Sequence, residues 1–153
     1  MSALETKIPP PLALLLVGVG MWVIARDSHP LAISEAFRII AAITFLLFGF
    51  AFAGLGIAAF SSAKTTINPV NPEAASSMVT DGIYRYTRNP MYVGLASILI
   101  GWALFLAVPL AFMGPILFVL YITRFQIIPE ERALRSKFGQ SYENYRKNVR
   151  RWI

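Results

Sequence analysis

Cysteine is absent from the sequence, and histidine occurs once, at position 29. The first absence removes disulfides, thiolate metal sites and cysteine nucleophiles together. The second leaves no Ser-His-Asp or Cys-His arrangement, since His29 stands in a short polar link and reads as a solvated loop residue. A metal site is not expected either, because the acids available at one level, Asp81, Glu130 and Glu131, lack nitrogen or sulfur partners. Charge is scarce too: 14% of the residues are charged and 56% hydrophobic, whereas soluble domains carry about 25% charged residues. With a mean hydropathy of +0.58, the chain reads as a membrane protein forming a single unit over residues 1–153.

The charge that is present is unevenly placed. The net charge is +6, and from Arg124 to Ile153 eight Arg or Lys stand against three Glu, which supplies +5 of it. Such a tail suits an anionic lipid surface. Nucleic acid is set aside as a partner, because no nucleic-acid module is recognisable and the tail follows an apolar run.

Long hydrophobic runs are what the sequence has in abundance. Pro9 to Pro11 open a run that reaches Ala25, short for about 30 Å of hydrocarbon unless the proline turn contributes. A signal peptide is the rival reading, but no small-residue cleavage site follows. After a polar link with Ser34 as a cap before Glu35, Ile39 to Phe60 gives 22 residues without a charge. Its glycines, Gly49, Gly54 and Gly56, read as helix-packing positions and not as a phosphate loop. Asn68-Pro69 and Asn71-Pro72 mark a loop of turns. From Pro90 no charge occurs until Arg124, a run too long for one crossing and carrying Pro109 and Pro115. Two short helices turning near Val108-Pro109 are expected.

Pro129, followed by Glu130 and Glu131, reads as the start of a new helix. Leu134, Phe138, Tyr142, Tyr145, Val149 and Trp152 recur at steps of three or four between basic residues. This is an amphipathic stripe for the membrane interface, broken at Gly139 with Ser141 as the next cap. The expected fold is an all-α integral membrane protein with four transmembrane helices. Residues 8–60 hold the first two, 61–90 a cytoplasmic loop, 91–128 a helical hairpin and 129–153 cytoplasmic interfacial helices. Lys64, Arg85, Arg88 and the basic tail against only Arg26 and Arg38 in the other link orient both termini to the cytoplasm.

Asp81 to Gly94, DGIYRYTRNPMYVG, crowds three tyrosines, two arginines and an Asn-Pro against the mouth of an apolar run, where polar groups ordinarily need a ligand or partner. Arg124, Glu130 and Glu131 stand at the far end of the same hairpin. Antiparallel neighbours return their outer ends to one membrane face, so the two clusters can share a pocket. Taken singly, Arg85, Arg88 and Arg124 read as headgroup anchors, Tyr84, Tyr86 and Tyr92 as an aromatic belt, and the two acids as helix-start residues. Together they exceed what anchoring requires.

Thr80-x-Gly82-x-Tyr84-Arg85, then Arg88-Asn89-Pro90-Met91-Tyr92-x-Gly94, then Pro129-Glu130-Glu131 with Phe138-Gly139-x-x-Tyr142-x-x-Tyr145, resembles the isoprenylcysteine carboxyl methyltransferase family and its bacterial members, which are similar to phospholipid N-methyltransferases. The resemblance covers roughly residues 65–153. It implies an integral-membrane fold that binds S-adenosylmethionine from the cytoplasm. Val79, Thr80, Gly82 and Tyr84 would lie by the cofactor, Asn89 and Tyr92 would hold it, and Glu130 or Glu131 would bind its polar groups. Eukaryotic members carry histidine where Asn89 stands, and asparagine cannot shuttle a proton. The chain is also shorter at its amino end than eukaryotic members.

The chemistry is consistent with the residues. Methyl transfer from a sulfonium needs an aligned nucleophile and exclusion of water, and no metal. Carboxylates suit the cofactor's hydroxyls or ammonium, aromatic faces its positive sulfur, and an arginine its carboxylate or an acidic acceptor. The expected acceptor is lipophilic, entering from the bilayer to meet Arg88 and Arg124. A carboxylate is favoured over an amine. An NADPH-dependent membrane reductase of an isoprenoid or steroid, and a non-enzymatic membrane scaffold, are the alternatives.

Overall fold

The computed structural model describes residues 5–63 and 78–153. Lys64 and the Asn-Pro turns at 68–72 lie outside the described residues. The regular elements are helices: α1 (Pro10–Arg26), α2 (Glu35–Ser62), α3 (Pro90–Leu106), α4 (Met113–Ile122) and α5 (Ile128–Asn148), with 3-10 turns at Gly82–Arg85 and Pro109–Phe112 and a π-turn at Thr123–Ile127. The only strand-like pairing among the described residues is an isolated parallel bridge between Thr87 and Arg150.

Local sequence accounts for the helix starts. Pro10 and Pro11 occupy the first turn of α1, where a missing N–H leaves no hydrogen bond unmade. Ser34 Oγ accepts from the Phe37 amide at 3.3 Å and caps α2 as expected. α2 runs for 28 residues, about 42 Å at the α-helical rise. It and the continuous helical stretch Pro109–Asn148 are long and apolar enough to cross a membrane, whereas α1 and α3 are shorter apolar helices. Outward-facing Leu15, Leu16, Ile40, Leu47, Phe50 and Leu120 are 60–65% exposed. Apolar surface on that scale is stable against lipid chains, not water.

α3 is the hub. Against α2 it packs with almost no side chain between: a Cβ on Gly94 would lie 2.5 Å from the Gly49 carbonyl oxygen, and one on Gly56 2.8 Å from Met91 Cγ. Gly54 has no neighbour within 4 Å, so the expected packing role holds for Gly49 and Gly56 and not for Gly54. On its other sides α3 meets α1 and α4, where Trp102 Nε1 donates to the Gly18 carbonyl at 3.1 Å and Leu99, Phe118, Ile122 and Ile127 are fully buried. The hairpin turns where the prolines place it. Ala107 adopts a left-handed conformation (φ 54°), and Arg38 Nε reaches across from α2 to cap the Phe105 carbonyl at 2.7 Å.

Pro129 stands in the first turn of α5 with Glu130 and Glu131, as expected, but no break in the chain precedes it. The chain passes from α4 through the π-turn into α5 with helical dihedrals throughout, and the Ile128 amide donates to the Thr123 carbonyl five residues back. A proline inside a helix leaves the carbonyl four residues earlier without its donor. Here that carbonyl is Phe125, and it accepts from the Thr6 amide at 3.0 Å instead. The expected break at Gly139 is present, with φ 50° and ψ −122°, a region essentially restricted to glycine. On either side of it the stripe faces inward, with Tyr142 buried and Leu134, Phe138, Tyr145, Val149 and Trp152 partly buried, while Arg135, Lys137, Arg146 and Lys147 face out.

Candidate functional site

The start of α3 and the start of α5 meet at one end of the bundle, which is where antiparallel packing brings the two ends of a hairpin. Tyr92, in the first turn of α3, donates from its hydroxyl to Glu130 Oε1 at 2.6 Å. Gln126 Nε2 donates to the same oxygen at 3.0 Å. Neither bond uses Oε2. Glu130 follows the point where charge returns to the sequence, beyond the apolar segment. Burial pushes its carboxyl up to about 7, opposed by the hydrogen bonds from Tyr92 and Gln126 and assisted by the neighbouring charge of Glu131.

The second acid is enclosed by arginines. Arg88 Nη1 lies 3.1 Å from Glu131 Oε1, with side-chain exposures of 9% and 14%. Arg151 forms a bidentate pair with the same carboxylate at 2.9 and 2.7 Å. Arg88 Nη1 also donates to the Tyr142 hydroxyl at 3.1 Å, yet its Nε is buried with no acceptor. A buried guanidinium N–H without a partner is uncommon, and a ligand acceptor is one explanation for it.

Tyr84 closes one side. It is buried, packs edge-on against Phe60 of α2 at 5.5 Å, and its carbonyl accepts from the Tyr145 hydroxyl at 2.7 Å. Burial holds the hydroxyls of Tyr84, Tyr142 and Tyr145 above the ordinary phenol range, so all three stay neutral. Gly82 opens the 3-10 turn beneath Tyr84 with φ +61°, a conformation glycine adopts without penalty. Val79 and Thr80 precede it, partly buried. Those three residues make no hydrogen bond to either carboxylate among the described residues.

Asn89 precedes α3 but does not cap it. Its Nδ2 donates to the Arg151 carbonyl at 2.8 Å, while its amide donates to Thr87 Oγ1 at 3.2 Å. Arg124, expected beside Arg88, is engaged elsewhere: Nη1 lies 3.1 Å from Glu5 Oε1, and Arg132 holds the other Glu5 oxygen at 2.6 Å. The reason is helical geometry. Gln126 points inward to Glu130, and a residue two positions earlier projects about 200° away.

Four residues of this arrangement were not singled out as site residues by sequence reasoning. Gln126 carried a signal, lying four residues before Glu130 on one helix face. Thr87, Arg151 and Glu5 carried none, since their contacts join segments 60 or more residues apart for the tail and 119 for Glu5 and Arg124.

Fold and site together define a helical membrane protein with a cluster of hydrogen-bonded polar side chains at the mouth of an apolar hairpin. The model of the phospholipid methyltransferase family matches residues 37–141, and the chain belongs to that family, which makes it by family a membrane methyltransferase. Among curated proteins it is similar to an uncharacterized protein of Haemophilus influenzae, 49% identical over 63 residues that cover 41% of this chain and all of the relative. It is also similar to the protein-S-isoprenylcysteine O-methyltransferase of Schizosaccharomyces pombe, 44% identical over 75 residues, 47% of this chain and 30% of that enzyme. No solved structure matches.

Proposed function

We propose that this chain transfers a methyl group from S-adenosylmethionine to a lipophilic acceptor at the cytoplasmic face of the membrane. The observation that carries the reading is the buried, unpartnered Nε of Arg88, on the same rim as Glu130, whose hydrogen bonds occupy only one oxygen. A guanidinium donor and a carboxylate with an open oxygen fit the carboxylate and ammonium of an amino-acid moiety, which the cofactor carries.

Glu130, and not Glu131, is the acid assigned to the cofactor, since both Glu131 oxygens are held by arginines. Tyr92 and Gln126 orient Glu130, and Asn89 keeps its amide oxygen for the ligand. Tyr84 supplies an aromatic wall, with Val79, Thr80 and Gly82 forming the approach beside it. When bound, S-adenosylmethionine supplies an electrophilic methyl group on a positive sulfur. The protein's part is to bind, align and exclude water.

For the acceptor a carboxylate is favoured. It is already ionised at neutral pH, and this rim has no histidine to deprotonate an amine. With Arg88 Nε assigned to the cofactor's carboxylate, Arg124, on release of Glu5, is the arginine left to orient the acceptor. The isoprenylcysteine methylation named for the fission yeast relative is consistent with such an acceptor. Four spans with both termini cytoplasmic complete the reading, supported by the basic asymmetry and the outward apolar belt.

Calorimetry of detergent-solubilised protein against S-adenosylhomocysteine and NADPH is the direct test. Saturable binding of the first alone is expected; binding of NADPH alone would replace this reading with a membrane reductase, and binding of neither would leave a scaffold. Cysteine placed at Lys147 provides the topology test, free of background. Labelling only from outside intact cells would reverse the orientation.

A further inference from the structure

The chain leaves α5 at Val149 in an extended conformation, and residues 150–152 turn back onto the fold. Arg150 pairs with Thr87 as a parallel bridge, and its carbonyl accepts from the Arg88 amide at 2.9 Å. The Arg151 carbonyl accepts from Asn89 Nδ2 at 2.8 Å and Thr87 Oγ1 at 3.4 Å. Its guanidinium meanwhile holds both oxygens of Glu131. Trp152 then anchors the end, its Nε1 donating to Thr123 Oγ1 at 3.3 Å beside the π-turn. One residue therefore ties the segment before α3, through its backbone, to the first turn of α5, through its side chain.

From this juxtaposition we infer that Arg151 is a positioning residue of the cofactor site. It acts through Asn89 and Glu131 and sets the separation of the two polar segments, so that Arg88 and Glu130 face the ligand at a fixed spacing. The inference rests on the methyltransferase reading above. Two arginines on one carboxylate explain why Arg88 keeps an unpartnered Nε. Arg151 supplies the bidentate contact, and Arg88 is left with a single Nη1 bond to Glu131 and a free N–H. Without Arg151, Glu131 is open to draw Arg88 into a bidentate pair of its own, turning Nε away from the ligand. Loss of the clamp therefore weakens cofactor binding at a group that never touches the cofactor.

The test uses full-length protein in detergent or nanodiscs. In Arg151→Ala, the dissociation constant for S-adenosylhomocysteine and the KM for S-adenosylmethionine are expected to rise tenfold or more, with kcat held within about threefold. Arg151→Lys recovers only part of the affinity, because an ammonium offers no fork to a carboxylate. Arg151→Ala combined with Glu131→Gln is expected to bind no more weakly than the worse single variant, as groups acting through one contact are not additive. Hydrogen exchange of the Arg88 amide, measured without ligand, should quicken in Arg151→Ala. If that variant does not fold, Arg151→Gln, which keeps one donor for Glu131 and leaves the Arg88–Glu131 pair in place, is measured instead. Unchanged affinity in a folded Arg151→Ala, or a loss of kcat at unchanged KM, overturns the positioning role. Absence of S-adenosylhomocysteine binding by the unaltered protein overturns the methyltransferase reading itself, and the two failures are told apart by that control.

Discussion

Tyr92 and Glu130, separated by 38 positions, share a 2.6 Å hydrogen bond that joins the first turn of α3 to the first turn of α5. It closes the polar end of the hairpin, and it favours the ionised form of the acid that the proposed cofactor contact uses, against the burial that raises its carboxyl.

Cofactor affinity should depend on pH with a midpoint near that acid. The Glu130 carboxyl is pushed up to about 7 by burial, so it is neutral below that value and becomes a partner for an ammonium as pH rises through it. S-adenosylhomocysteine binding is expected to strengthen from pH 6 to 8 and then level. Glu130→Gln abolishes that dependence. Tyr92→Phe, by removing a hydrogen bond that favours the charged form, moves the midpoint higher. Calorimetry across this range measures all three.

The same shift has a consequence for stability. A carboxyl whose folded value lies above the ordinary 4.5 holds its proton more firmly in the folded state. Its contribution is therefore full in acid and is lost as pH rises from about 4.5 through about 7. The melting temperature of Glu130→Gln in detergent should exceed that of the unaltered protein at pH 8 and converge with it near pH 4.

Glu131→Gln should be more harmful to folding than Glu130→Gln. Glu131 neutralises Arg88, whose side chain is 9% exposed, and removing one partner of a buried ion pair costs about 3–5 kcal/mol. Chemical denaturation in detergent checks the order of the two variants; equal stability would contradict it.

Two glycines of the α2–α3 region should respond oppositely to alanine. At Gly94 a methyl group would collide with the Gly49 carbonyl at 2.5 Å, and overpacking of this kind costs about 1–3 kcal/mol. At Gly54 nothing lies within 4 Å, and alanine is favoured over glycine in a helix interior by roughly 1 kcal/mol. Melting temperatures should fall for Gly94→Ala and hold or rise for Gly54→Ala.

Much of this was legible in the sequence because it was written locally. Pro10 and Pro11, Ser34 and Gly139 act on their own neighbours, and the hairpin at Val108-Pro109 follows from a run too long for one crossing. The meeting of Tyr92 with Glu130 follows in turn from the hairpin. What the sequence did not reveal depends on contacts across the fold. Arg124 sits in the expected cluster by position and is drawn off by Glu5, a residue of the opposite end of the chain. Asn89, expected to hold the cofactor, has its side-chain amide on the returning tail. Pro129 reads as a helix start and does stand in the first turn of α5, but the sequence does not show that the preceding turn runs into it unbroken, with the Thr6 amide taking up the Phe125 carbonyl.

The π-turn at Thr123–Ile127 holds one residue more than the α-helical ladder would. In phase terms it is a rotation: each residue turns a helix by about 100°, so a helical wheel drawn straight through α4 into α5 assigns every later side chain to the wrong face. Deleting a single residue from this turn would leave both helices intact and swing Glu130 away from Tyr92. The alignment of the two halves of the site is thus held by a residue count, independent of which side chains fill those five positions.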